Sequence, residues 1–124
     1  MHILVAETDS DFLHKMQHAL QKAGYEVSVA DNGMTAWQHL TSPAPPDLLV
    51  TRFRLSAGKP PGTALGAHAY SCQPPIPVVY IPANVDQAKY ADPEHGIVLI
   101  KPFNLADLVA TVRHLLDARK RCSE

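Results

Sequence analysis

Short apolar runs that do not alternate with polar residues constrain this chain more than any other feature. Ile3-Leu4-Val5-Ala6, Leu48-Leu49-Val50-Thr51 and Val78-Val79-Tyr80-Ile81 are too short for helices, and Pro77 and Pro82 bracket the last of them. Side chains alternate across a strand, so a strand that is apolar at every position must be buried on both faces. That condition points to a parallel sheet with helices on each side.

The segments between the runs carry the helical period. After Glu7-Thr8-Asp9, either Asp9 or Ser10 is placed to cap a helix with Phe12, Leu13, Met16, Ala19, Leu20 and Ala23 on one face and Gly24 as its stop. Residues 25–30 read as a second strand. Asp31-Asn32-Gly33 turns into a helix with Ala36, Trp37 and Leu40 inward, and Pro43, Pro45 and Pro46 end it before Asp47 opens the third strand. Residues 56–62 are a Gly/Pro-rich loop, 63–72 a Gly-interrupted helix, and 97–100 a fifth strand. Asn104 then caps a last helix, with Asp107 as a capping-box-like partner and Leu105, Leu108, Val109, Val112, Leu115 and Leu116 inward.

Ile-Leu-Val-Ala-Glu-Thr-Asp at 3–9, Asp-Asn-Gly-Met-Thr-Ala-Trp at 31–37, Pro-Asp-Leu-Leu-Val at 46–50 and Lys-Pro-Phe at 101–103 follow one another at spacings that resemble the receiver domain of two-component response regulators. The resemblance covers essentially the whole chain. It implies a flavodoxin-like (CheY-like), doubly wound α/β fold with a five-stranded parallel sheet in the order 2-1-3-4-5. Its functional end is then the carboxyl edge of the sheet. It also implies a cis peptide before Pro102.

The family's chemistry asks for an aspartate at the end of strand three that attacks a phosphohistidine to form an acyl phosphate. It asks for acidic residues after strand one that hold magnesium with that aspartate, a Thr or Ser after strand four, and a Lys after strand five. This chain keeps Glu7 as the first acid but has Thr8 as the second, Arg52 at the acceptor position and Pro82 at the hydroxyl position; Asp9 is nearby, and Lys101 is kept. A guanidinium stays protonated and has no lone pair able to attack phosphorus, so no phosphotransfer is expected at Arg52. Its charge also opposes a metal, so no metal or cofactor is expected. An Arg52–Glu7 ion pair, with Asp9 as alternate partner, is expected in their place. Thr8, Thr51 and Ser56 remain as hydroxyl acceptors of another kind, which would give stable esters.

The output side departs from the family as well. Val98 stands where receivers often carry a switch aromatic, and Pro93 and Gly96 interrupt 82–101, so the helix between strands four and five is expected to be short or degenerate. With Ala110, Arg113, His114 and Asp117 of the last helix, Val98 makes up the candidate interaction face. Partners expected from the resemblance are a histidine kinase, an effector domain or a second copy of the chain.

At 124 residues, with 46% hydrophobic and 19% charged content, the chain is read as one receiver-like domain over 1–124. A formal charge of −1 gives no footprint for nucleic acid, and no apolar stretch suits a transmembrane or secretory segment, so a cytoplasmic location is expected. Cys72 and Cys122 are read as reduced thiols. His14 and His18 have the spacing of a helical metal pair but are assigned to an exposed polar face. No nucleophile elbow, reactive Cys pair or His/carboxylate set marks an enzyme. The alternative reading is an anion- or nucleotide-binding module in which Arg52, Arg54, Lys59 and Lys101 gather at the carboxyl edge, a reading that Glu7 and Asp9 oppose.

Overall fold

The computed structural model describes residues 1–52, 62–72, 75–81, 97–99 and 104–122, with backbone only for 62–63 and 119–122. The elements are β1 (His2–Ala6), α1 (Ser10–Lys22), β2 (Glu26–Ala30), α2 (Gly33–Leu40), β3 (Leu48–Arg52), α3 (Gly62–Ser71), β4 (Val78–Ile81), β5 (Ile97–Val98) and α4 (Leu105–Cys122). Their five strands form one parallel sheet in the order β2-β1-β3-β4-β5. This is the fold that the apolar runs and motif spacings imply.

Period-two alternation divides each run between two cores. Leu4, Ala6, Leu49, Val78 and Tyr80 face α2 and α3, where Ala36, Leu40, Leu65 and Ala69 meet them. Ile3, Val5, Leu48, Val50, Val79 and Ile81 face α1 and α4, against Leu13, Met16, Leu20, Leu108, Val112 and Leu116. Every one of these side chains is buried. Burial at about 25 cal/mol per Å² of apolar surface makes these two layers the main source of stability. The α2/α3 layer has one tight approach. A Cβ at Gly66 would collide with the phenol ring and hydroxyl of Tyr80, so the absence of a side chain there is what admits the tyrosine beneath α3.

Helix ends follow local chemistry. Asp9 caps α1, its Oδ1 accepting from the amides of Asp11 at 3.1 Å and Phe12 at 3.3 Å. Asn32 Oδ1 accepts from Thr35 N at 2.8 Å to start α2, and Asn104 Oδ1 accepts from Asp107 N at 2.8 Å to start α4. Gly24 stops α1 in the left-handed region at φ 100°, as expected.

Several boundaries and faces differ from the sequence reading. Tyr25 lies outside β2, because its amide bonds back to Leu20 O at 3.2 Å and closes the helix end. Helix α3 spans Gly62–Ser71, one residue earlier than expected at each end. Trp37 is half-buried, its ring centroid 4.6 Å from that of His68 on α3, so it seals the α2–α3 seam and does not enter the core. Phe12, Ala19, Leu105, Val109 and Leu115 are likewise half-buried flanks of the stripes Leu13/Met16/Leu20 and Leu108/Val112/Leu116. No helix of the described residues is long and apolar enough to cross a membrane.

Candidate functional site at the carboxyl edge

The register of β1 on β3 builds the corner. Ile3 pairs with Leu48, Val5 with Val50 and Ala6 with Thr51, so the next step along both strands sets Glu7 beside Arg52. Glu7 shares the side-chain parity of Ile3 and Val5, and Arg52 that of Leu48 and Val50. Both therefore emerge on the α1/α4 side of the sheet, at its carboxyl edge.

Arg52 Nη1 lies 3.3 Å from Glu7 Oε1 and donates to Thr8 Oγ1 at 2.7 Å. The Glu7 side chain is 0% exposed and that of Arg52 24%, so the carboxylate is enclosed while the guanidinium still meets solvent on one side. Glu7 Oε1 also accepts from the amide of Asp9 at 3.2 Å, and the Glu7 amide donates to Ala30 O at 3.0 Å. Oε2 is buried without a hydrogen-bond partner among the described residues. A buried carboxylate needs a counter-charge, and Arg52 supplies it.

The expected Arg52–Glu7 pair is thus present, but the alternate partner is different. Asp9 faces the amides that open α1, which fixes its carboxylate at the cap and away from Arg52. Thr8 takes the second bond, a role its residue type did not announce: a loop hydroxyl leaves no periodic signal, and only its place next to Glu7 in sequence could have indicated it. Thr51 is buried with its hydroxyl turned to Arg52 O at 2.9 Å.

A magnesium ion of the kind that receivers hold does not fit these residues. Glu7 Oε1 is already bonded to a cation, Asp9 Oδ1 is bonded to helix amides, and no group of three or more His, Cys, Asp or Glu among the described residues is arranged around a metal. Pro82, Lys101, Arg54, Lys59, Ser56, the peptide before Pro102 and the helix expected between strands four and five all lie outside the described residues.

The residues of the candidate interaction face lie on α4 and on the edge strand β5. Ala110, Arg113, His114 and Asp117 are exposed on α4, whose buried stripe belongs to the α1 side of the sheet. Val98 is half-buried and packs against the α2/α3 core on the other side. Cys72 is a free thiol that donates to His68 O at 3.5 Å, and the side chain of Cys122 lies outside the described residues.

A doubly wound parallel sheet with an acidic residue buried at its carboxyl edge defines a flavodoxin-like α/β module. Comparisons with known proteins make the class specific. Response regulator receiver protein CpdR of Brucella abortus (strain 2308) is 34% identical over 119 residues, which are 94% of this chain and 97% of CpdR. Transcriptional regulatory protein PrrA of Mycobacterium leprae is 33% identical over 119 residues, 94% of this chain but 50% of PrrA, so the chain spans about half of that relative. The crystal structure of a response regulator receiver protein from Sinorhizobium medicae WSM419 matches with a TM-score of 0.85 and 33% identity over 96% of each chain. No protein-family model matches. The chain belongs to the response regulator receiver family of two-component signalling.

Proposed function

We propose that this receiver is not phosphorylated at the end of β3 and acts through phosphorylation-independent protein–protein contact. One observation carries the reading: the side chain at the end of β3 is a guanidinium tied to both Glu7 and Thr8. A nucleophile is absent at that point, and the acid that would help hold magnesium is already neutralised. The tether also joins the end of β3 to the β1–α1 loop, so the corner is held in one arrangement without a phosphoryl group. A receiver built this way presents a constant docking surface, to a histidine kinase, an effector domain or another copy, in the cytoplasm. The anion-binding alternative is the weaker one, because Nη1 of Arg52 is committed to Glu7 and Thr8 and the enclosed carboxylate repels an incoming anion.

Incubation with acetyl phosphate and magnesium is expected to leave the intact mass and the melting temperature unchanged. A gain of one phosphoryl group on an aspartate or glutamate, or a magnesium-dependent rise in Tm, refutes the reading. Arg52→Asp sharpens it by returning a nucleophile to a site that still has Thr8 and Pro82. Feeble phosphorylation and no chemical-shift change are expected; efficient phosphorylation with a full conformational response would show that loss of the acceptor alone accounts for the change.

A further inference from the structure

The exposed face of α1 carries chemistry that the receiver reading does not use. His14 and His18 are one helical turn apart, both are exposed, and neither has a hydrogen-bond or ion-pair partner among the described residues. Successive turns place their ring positions about 40° apart around the axis, on the side opposite Leu13, Met16 and Leu20. The two imidazoles therefore point away from the sheet, exposed to an approaching molecule. An i, i+4 imidazole pair suits a borderline divalent ion such as zinc, but supplies two of the four ligands that a closed tetrahedral site requires. No third His, Cys, Asp or Glu is placed to complete it among the described residues.

The same face is self-complementary about the midpoint of the pair. Asp11 is in the first turn, one turn before His14, and Lys22 is in the last, one turn after His18. A two-fold axis through that midpoint runs two copies of α1 antiparallel, brings four imidazoles together and sets Asp11 of each copy toward Lys22 of the other. Lys15 lies on the flank of the stripe, one turn after Asp11 and one turn before His18. The chain's net charge of −1 leaves two copies only weakly repelled, and a divalent cation between them offsets that charge.

We propose that His14 and His18 form a half-site for a zinc-like divalent ion, and that the same pair on a second copy of this chain completes it. Association would then respond to metal supply at the outer face of α1. The test is zinc titration of the full chain, without a histidine tag, by calorimetry together with light scattering. Roughly half a zinc per chain is expected at saturation of the dimer, with the mass doubling at that ratio and returning to monomer on chelation. His14→Ala and His18→Ala should each abolish the doubling while leaving the melting curve in chelator unchanged, since both side chains are exposed. Should either variant alter that curve, His14→Gln and His18→Gln, which keep a polar side chain, are read in the same assay with the same expected loss. One zinc per chain with the mass unchanged, no zinc uptake at all, or doubling that persists in the variants overturns the proposal.

Discussion

The two ends of β1 and β3 are fastened by different chemistry. At the amino edge backbone and side chains share the work: His2 N donates to Asp47 Oδ2 at 2.8 Å, Asp47 N donates to His2 O at 2.7 Å, and the His2 ring meets Ser28 Oγ on β2 at 2.7 Å. These groups are half-exposed, so water can take over from any one of them. At the carboxyl edge β1 is tied to β3 through side chains, from Arg52 to Glu7 and Thr8, beside the Glu7 amide's bond to Ala30 O on β2, and the Glu7 carboxylate is sealed from solvent. Losing a partner there strands a charge that water cannot easily reach. The fold is thus tolerant at one end of its central strands and dependent on one cation at the other.

The largest effect should follow Arg52→Ala, which leaves Glu7 buried without its counter-charge. A loss of about 1–3 kcal/mol in urea denaturation is expected, the range for stranding a buried polar or charged group. A neutral result would erase the contrast between the two edges. Asp9→Ala should cost about 1 kcal/mol, the usual loss for a helix N-cap, with no change in magnesium response. If this variant instead altered a magnesium-dependent Tm, Asp9 would be a metal ligand and the corner would need a different description.

Thr8→Ala removes one of the two bonds to Arg52 and keeps the ion pair, so a loss of roughly 0.5–1 kcal/mol is expected by the same denaturation measurement. A loss as large as that of Arg52→Ala would mean that the hydroxyl, and not the carboxylate, holds the guanidinium. Smallest of all, Ser28→Ala at the amino edge should shift stability by at most about 0.5 kcal/mol, since its partner His2 can turn to solvent. A shift beyond that of Thr8→Ala would reverse the ranking of the two edges.

Much of this was legible before any coordinates. Continuous apolar runs dictated a sheet covered on both faces, and the motif spacing supplied the strand order by resemblance. The Arg52–Glu7 pair followed from the adjacency of strands one and three in that order. What escaped was non-periodic. Thr8 is a loop hydroxyl whose partner depends on where the chain turns after β1, and Asp9 had two plausible uses between which only the α1 amides decide. Trp37 fitted the inward stripe by spacing, yet its size and its contact with His68 hold it at the seam between α2 and α3. Val98 leaves no periodic signal in a two-residue strand, and its half-buried place against the α2/α3 core comes from the position of β5 at the sheet edge.

The close approach of Tyr80 to Gly66 has a bearing on how this sequence can drift. The two positions are not independent letters: a methyl group at 66 is admitted only once the ring at 80 has shrunk or swung aside, and a smaller residue at 80 leaves a void that the glycine cannot fill. Along any lineage of this domain, a change at one of them should therefore be accompanied by a change at the other, leaving an inherited trace of the contact in a pair of residues that lie in different elements.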